Sequence, residues 1–178
     1  MTDKELIEGA LQRDPSCQRA LFDRYAPTLM AVCLRYCRTR TEAEDTLQES
    51  FMRIFDKLGQ YNFQGSFEGW MRRLCVNVAL RTHQRKRVTH EQTGLETVPD
   101  QALDPTAFSR LAEQELLDLI AQLPEGYRLV FNLYAIEGYS HKEIGQALGI
   151  QEASSRSQLL KARKLLQQQI TKRQRIAI

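Results

Sequence analysis

The apolar residues of this chain recur at helical spacing along almost its whole length. Between Leu47 and Leu58 they fall at positions i, i+4, i+7, i+8 and i+11, which is one face of an amphipathic helix. Glycine and proline are sparse, at 9 and 5 of 178 residues, and β-branched residues dominate no window. The pattern therefore predicts an all-α fold.

Start and stop signals give approximate bounds to several of these helices. Asp14, which is followed by proline, is a typical N-cap with a first-turn proline. The tetrapeptides that begin at Thr41 and Ser140 have the spacing of capping boxes, in which a hydroxyl and a glutamate satisfy two backbone amides. Gly59 and Gly149 are predicted to end the helices that these boxes open.

The last two helices have the spacing of a helix-turn-helix. Only about two residues separate the helix that ends at Gly149 from a long basic helix predicted over residues 152–171. A purely structural helical hairpin has the same pattern and stays an alternative. At about 100° per residue, the inward side of the final helix consists of Ser155, Leu159, Ala162 and Leu166. Its outward side consists of Ser154, Ser157, Leu160, Lys161 and Lys164, with Arg156 on the flank.

The middle of the chain differs in kind from both ends. Residues 89–110 contain two prolines and a glycine but no sustained apolar period, which is typical of a linker. We therefore expect two small helical domains, residues 1–88 and 111–178, joined by a flexible linker. The second is expected to be a helix-turn-helix domain, a winged-helix-like arrangement of four helices.

The modest net charge of +3 conceals two basic surfaces. Residues 69–90 hold six Arg or Lys and residues 153–178 hold seven, and neither stretch has an Asp or Glu. Such surfaces attract phosphate backbones by counterion release. The first follows an aromatic loop that contains Tyr61 and Phe63, and rings beside cations suit unstacked bases. Phe67 and Trp70, a little further on, are more simply core residues.

Other classes of function find little support. No apolar run approaches a membrane span, so we expect a cytoplasmic protein without a membrane segment. Its four cysteines lack paired CxxC spacing and are expected to be buried thiols rather than metal ligands. The three histidines are scattered and interpreted as surface residues, and no nucleotide-binding or nucleophile motif occurs. We expect no catalytic residue, no metal and no cofactor, and hence no enzyme.

Two blocks of sequence resemble a known family. DRYAPTLMAVCLRY, TEAEDTLQESFMRIFDKL and FEGWMRRLCVNVALRTHQRKR resemble the second conserved region of bacterial sigma factors. LPEGYRLVFNLYAIEGYSHKEIGQALGIQEASSRSQLLKARKLL resembles their fourth region. Two such units with a short linker are similar to the extracytoplasmic-function (ECF) group, and the resemblance extends from about Asp14 to Gln168.

The resemblance implies a sigma factor that binds core RNA polymerase, through its largest and second-largest subunits, and directs promoter-specific initiation. It also implies single- and double-stranded promoter DNA as partners and, as is common in this group, an anti-sigma factor that the residues do not identify. The implied polymerase-binding residues are Asp45, Gln48, Glu49 and Met52. Those implied at the minus-ten element are Phe63, Gln64, Ser66, Arg72, Arg73, Asn77, Arg81, Arg85 and Lys86. Those implied at the minus-thirty-five element are Ser154, Arg156, Ser157, Leu160, Lys161 and Lys164.

The chain departs from the family pattern at a few positions. Ser155 stands on the inner face where a valine is frequent, and Arg81 stands where an aspartate is common. These departures affect the expected promoter sequence rather than the class of function. The alternative is a stand-alone helix-turn-helix regulator, which leaves the first basic surface and its aromatic loop without a role.

Overall fold

The computed structural model describes residues 1–90 and 113–176, and it is helical throughout with no strand in those ranges. The prediction of an all-α chain is confirmed. The chain divides into two compact units, Met1–Gln92 and Thr93–Ile178. The first contains α1 (Asp3–Leu11), α2 (Pro15–Tyr36), α3 (Arg40–Lys57) and α4 (Phe67–His90). The second contains α5 (Glu113–Ala121), α6 (Glu125–Phe131), α7 (His141–Leu148) and α8 (Glu152–Ile176).

In the first unit, α2 is the central helix and packs against α1, α3 and α4. It runs unbroken past Pro27, which is exposed within the helix, and this joins the two apolar faces expected on either side of that proline. Asp14 caps its start, as predicted, by accepting the Ser16 amide at 2.8 Å. The largest fully buried side chains of the unit are Tyr36, Leu6, Ile7, Leu21, Leu29, Ile54, Leu58 and Met71.

The start of α3 differs from the prediction. The cap is Thr39, whose hydroxyl accepts the Glu42 amide at 3.2 Å, and Thr41 lies inside the helix. Both threonines have a glutamate three residues later, so the sequence offers two capping boxes. Starting at the first one adds helical residues, buries Ala43 and lets Glu44 accept a hydrogen bond from Arg40 at 3.0 Å.

The bounds of two long helices also differ from expectation. α4 continues to His90 and so includes the first two residues of the predicted linker, and α8 continues to Ile176 rather than ending near residue 171. Both ends are rich in arginine, lysine and glutamine, which are good helix formers. The rest of the predicted linker, from residue 91 onward, lies outside the described residues.

In the second unit, α8 is the helix on which the others pack. One cluster of its core joins α5 to the C-terminal half of α8. The fully buried members of that cluster are Leu119, Ile120, Leu123, Ala162, Leu166 and Ile170. Between α6 and α7 lies a π-helical segment, Asn132–Ile136, in which the Glu137 amide donates to the Asn132 carbonyl at 3.0 Å.

The predicted capping box and stop signal of α7 are confirmed. Ser140 accepts the Glu143 amide at 3.2 Å, and Glu143 accepts the Ser140 amide at 2.8 Å. Gly149 follows the helix in the left-handed conformation, with φ 67°, and the Ile150 amide donates to the Gly145 carbonyl at 3.0 Å. This Schellman turn directs the chain into α8.

Candidate functional site

The α3 helix presents its polar side to solvent, as the sequence predicted. Asp45 and Gln48 are exposed, and Met52 is 63% exposed, which is unusual for so apolar a side chain. Glu49 is half-buried, because its carboxylate accepts two hydrogen bonds from Arg53 at 2.8 and 3.1 Å. The opposite side of the helix holds the buried residues Ala43, Thr46, Leu47, Ser50, Phe51 and Ile54.

Sequence reasoning missed one apolar neighbour of α3. Phe22 of α2 is 40% exposed, and its ring lies 4.6 Å from that of Phe51, measured between centroids. It was overlooked because a single apolar residue on the outer side of α2 gives no periodic signal.

The loop between α3 and α4 holds a cluster of four aromatic rings. Tyr61 is at its centre, with centroid distances of 5.2 Å to Phe63, 5.0 Å to Phe67 and 5.5 Å to Trp70. Phe67 is buried and Trp70 half-buried, so the core interpretation is correct for Phe67 and partly so for Trp70. Phe63 is different, being 50% exposed and held at φ 59°, a backbone conformation that few bulky residues adopt.

The polar residues of this loop fix its shape. The Tyr61 hydroxyl donates to the Gly65 carbonyl at 2.9 Å, and Ser66 accepts the Gly69 amide at 3.2 Å at the start of α4. Ser66, predicted to bind DNA, therefore also has a structural role at a helix start. Gln64 is exposed, and its backbone amide donates to the Asn62 Oδ1 atom at 3.1 Å.

A cavity of about 380 Å³ opens beside the aromatic loop. Its walls come from α1, α2, the loop and the first turn of α4. The residues that contribute polar or aromatic groups are Asp3, Lys4, Tyr25, Tyr61, Phe63, Ser66, Phe67 and Glu68. Four aromatic rings, two carboxylates and an ammonium around one recess are suited to a planar polar ligand such as a nucleobase.

Sequence reasoning did not assign Asp3 to this site. Asp3 accepts hydrogen bonds from the Tyr25 hydroxyl and from Arg24 Nη1, each at 2.6 Å. The bond from Tyr25 lowers the pKa of Asp3 below its ordinary value, with Arg24 acting in the same direction. Burial, aided by Asp3, raises the pKa of Tyr25. The pair thus fixes α1 on α2 at the edge of the cavity.

The outer side of α4 carries a polar stripe that belongs to the first basic surface. Arg73, Asn77 and Arg81 are exposed and spaced four residues apart, so they lie on one line along the helix. Arg72 is half-buried, with its Nη1 atom 3.8 Å from a Glu68 carboxylate oxygen. The side chains of Arg85 and Lys86 lie outside the described residues. Opposite the stripe, the buried side chains include Met71, Cys75 and Val78.

The α8 helix has the two faces that the sequence predicted. The inward residues Ser155, Leu159, Ala162 and Leu166 are all buried. Outward, Arg156, Ser157, Leu160 and Lys161 are exposed, whereas Ser154 and Lys164 are half-buried. Arg156 donates a close hydrogen bond to Glu152, one turn earlier. The first half of the helix therefore presents hydroxyl, guanidinium and ammonium groups together, which can contact base edges and phosphates.

His141 is half-buried, so it is less exposed than a simple surface residue. Its ring stacks on Tyr134 and its Nδ1 atom lies 2.9 Å from the Ser155 hydroxyl. A lone histidine in the sequence gave no sign of this environment, because both of its neighbours come from other elements.

Neither a metal site nor a membrane-spanning helix is found in the described residues. Within residues 1–90 and 113–176, no group of three or more His, Cys, Asp or Glu is placed to hold a metal ion. In the same ranges no helix combines the length and apolar character that crossing a membrane requires.

Comparison with known proteins places both units in one family. Residues 21–89 match the family model of sigma-70 region 2, and residues 113–166 match that of sigma-70 region 4. The chain is 25% identical over 182 residues to the ECF RNA polymerase sigma-E factor of Haemophilus influenzae, covering 96% of each chain. Two family models in order, together with this full-length relative, establish the family from sequence alone.

Two solved structures have a similar fold. One is CnrH in complex with the cytosolic domain of CnrY, with TM-score 0.52, 18% identity and coverage of 95% of this chain and 97% of that chain. The other is the sigma factor RpoE of Bartonella quintana in complex with the anti-sigma factor NepR, with TM-score 0.50, 20% identity and coverage of 86% and 96%. The chain therefore belongs to the sigma-70 family of transcription initiation factors, in its extracytoplasmic-function group.

Proposed function

We infer that this chain binds core RNA polymerase, recognises a minus-ten and a minus-thirty-five promoter element, and aids promoter melting. The inference rests above all on two cationic helix faces, one on α4 and one on α8. Residues 69–90, which include most of α4, and residues 153–178, which include most of α8, contain no Asp or Glu. The two helices belong to separate units. A protein that reads two DNA elements needs two such surfaces.

The first unit is suited to single-stranded DNA at the minus-ten element. Extruding a base from a duplex costs a few kcal/mol, and stacking on an aromatic ring returns about 1–3 kcal/mol. Phe63 offers an exposed ring at the mouth of the cavity, and Arg73, Asn77 and Arg81 lie in line along α4. We propose that an extruded base enters the cavity while the stripe holds the strand.

The second unit is suited to duplex DNA at the minus-thirty-five element. The residues of α8 proposed to bind DNA fall in its first half, beyond the glycine turn, which is where a recognition helix contacts bases. Ser157 and Leu160 are assigned to base edges, and Lys161 to a phosphate. Ser154, Arg156 and Lys164 complete the proposed set.

The exposed face of α3 is proposed to bind the polymerase. Asp45, Gln48 and Met52 combine polar groups with an exposed thioether, a mixture typical of protein interfaces. The partners proposed are the largest and second-largest subunits of the core enzyme. An anti-sigma factor is proposed as a further partner, since the RpoE structure of similar fold contains one.

Addition of the purified chain to core polymerase tests the function directly. We expect transcripts to start at defined promoters, with footprints over two elements. If the chain binds duplex DNA by itself and leaves the core inactive, the helix-turn-helix regulator is the correct alternative. If transcripts start at no defined position, the proposal is wrong.

The polymerase face is tested by the double variant Gln48→Ala with Glu49→Ala. We expect loss of core binding with little change in stability, because an i, i+4 helix ion pair such as Glu49 with Arg53 contributes only about 0.3–0.5 kcal/mol. The matched control is Glu8→Ala with Gln12→Ala, an exposed acid on α1 and the exposed amide residue that follows the helix. Equal binding by both double variants would remove α3 from the interface.

The two roles on α8 are tested by measuring affinity at several salt concentrations. Lys161→Ala should weaken binding to all sequences alike and reduce the salt slope by about 1. Ser157→Ala should alter the preference between base pairs and leave the slope unchanged. The assignment would be contradicted if Lys161→Ala changed the preference between base pairs, or if Ser157→Ala reduced the salt slope.

A further inference from the structure

His141 connects three elements of the second unit. It is the first residue of α7. Its ring stacks on that of Tyr134 in the π-helical segment, with 4.6 Å between ring centroids and an interplanar angle of 19°. Its Nδ1 atom lies 2.9 Å from Ser155 Oγ, on α8. Ser155 is 0% exposed and lies on the inner face of α8. The imidazole is therefore held in place from two sides, and its position is coupled to that of the recognition helix.

The partner at Nδ1 is a group that can act as donor or acceptor. A serine hydroxyl donates to the Nδ1 atom of a neutral imidazole and accepts from the Nδ1–H of a protonated one. The hydrogen bond therefore survives protonation with its direction reversed. The valine that is frequent at this position in the family could satisfy neither state, so Ser155 is significant beyond filling the core.

The second ring nitrogen remains available for a ligand. Within the described part of this unit, the bond to Ser155 is the only hydrogen bond made by the His141 side chain. When Nδ1 accepts from Ser155, the proton of the neutral ring lies on Nε2. The neutral ring thus keeps an N–H donor that no described residue of this unit accepts.

The surrounding charges favour an anion. From α8, Arg156, Arg163 and Glu152 act electrostatically on His141, and the Arg163 guanidinium lies over the Tyr134 ring, 5.7 Å from its centroid. Two cations thus face a single acid, and Glu152 is already bonded to Arg156. On its own helix, Lys142 and the Glu143 of the capping box are the nearest charged residues in sequence.

This environment favours the neutral form of the ring in the absence of a ligand. Burial lowers the pKa of His141 below its ordinary value, and Arg156 and Arg163 act in the same direction against Glu152. A phosphate at Nε2 would reverse the balance, because its negative charge favours the imidazolium.

We propose that His141 is a phosphate-binding residue of the minus-thirty-five interface, and that it takes up one proton when the duplex binds while Ser155 reverses its hydrogen bond. This inference rests on the proposed function, since it requires upstream duplex DNA as the ligand. Its consequence is that upstream binding tightens as the pH falls. Uptake of one proton strengthens binding by at most about tenfold per pH unit.

The test uses the full chain assembled with core polymerase and a duplex bearing the minus-thirty-five element, between pH 8 and pH 6. We expect about three- to tenfold tighter binding at pH 6 for the native chain and a flat profile for His141→Gln. At pH 6 the variant should also lose about 0.9 from the salt slope, the contribution of one neutralised phosphate, and at pH 8 it should lose nothing. His83→Gln, a half-buried histidine of α4, is the matched control and should behave as the native chain.

The role of the hydroxyl is tested by Ser155→Val, which places an apolar side chain of similar size in a buried position. We expect the variant to fold, and to lose most of the pH response because a protonated Nδ1–H would have no acceptor. A ring-nitrogen NMR titration gives an independent measurement, in which the duplex should raise the pH of half-protonation of His141.

The outcomes separate the two levels of proposal. If the assembled enzyme shows no preference for an upstream element at any pH, the proposed function fails. If it selects promoters but His141→Gln matches the native chain in both pH profile and salt slope, the role of His141 is refuted. A native pH response in Ser155→Val would refute the reversal of the hydrogen bond.

Discussion

The turn between α7 and α8 should not tolerate a side chain at Gly145. A Cβ atom added there would lie 2.8 Å from the Ile150 carbonyl oxygen, whereas ordinary van der Waals contact begins at 3.4 Å. The obstructing atom belongs to the backbone, and the amide of the same residue donates to the Gly145 carbonyl at 3.0 Å. The chain cannot move away without straining the Schellman turn that positions the recognition helix.

The magnitude follows from two opposing effects. Overpacking of this kind costs about 1–3 kcal/mol, and replacing a helical glycine by alanine returns about 0.5–1 kcal/mol through backbone entropy. We therefore expect Gly145→Ala to destabilise the second unit by about 1 kcal/mol, and by at most about 2.5 kcal/mol. For a unit of this size each kcal/mol shifts the melting temperature by about 4–8 °C. Binding to upstream duplex should weaken in parallel.

Gly126→Ala is the matched control in the same unit. Its added Cβ would meet the terminal amide oxygen of Gln158 at 3.1 Å, and that side chain can rotate away. Thermal unfolding followed by circular dichroism, with hydrogen exchange of peptides from α7 and α8, measures the difference on the full chain. Fluorescence of Trp70, the only tryptophan, reports the first unit and should not change. Equal melting temperatures for the two variants would refute the steric argument.

Three further predictions concern the first unit. Phe63→Ala should slow promoter opening, measured by the permanganate reactivity of unpaired thymines. The free energy of unfolding should change by less than about 0.5 kcal/mol, because the ring is exposed. Promoter opening at the native rate would show that the ring has no role in melting. Because the pKa of Asp3 is lowered, its carboxylate contributes stability that is present above about pH 4 and is lost as the pH falls further. Unfolding by acid should therefore depend more steeply on pH in the native chain than in Asp3→Asn. Identical acid-unfolding curves for the two chains would contradict this. The Sγ atom of Cys33 lies 3.2 Å from that of Cys75, and this hydrogen bond, together with burial, raises the pKa of the Cys33 thiol. Both thiols should resist a disulfide reagent until the chain unfolds, whereas the half-buried Cys37 should react first. Early modification of Cys33 would show that the core is open.

The sequence determined which side of α3 and of α8 faces the solvent. Helical periodicity is a local property, so the outward positions of Gln48 on α3 and of Leu160 on α8 could be predicted without any knowledge of packing. The caps at Asp14 and Ser140 are equally local, because a side-chain oxygen and an amide two or three residues away complete them.

The tertiary structure decided which side chains meet across helices. Asp3 reaches Tyr25, and His141 reaches Ser155, through contacts that join separate elements. The choice of Thr39 over an equivalent capping box two residues later also depended on packing, since it buries Ala43. Periodicity specifies the direction of a side chain from its own helix axis but not the partner that lies there. The cavity wall from α1 and the imidazole coupled to the recognition helix therefore emerged only when the helices were packed together.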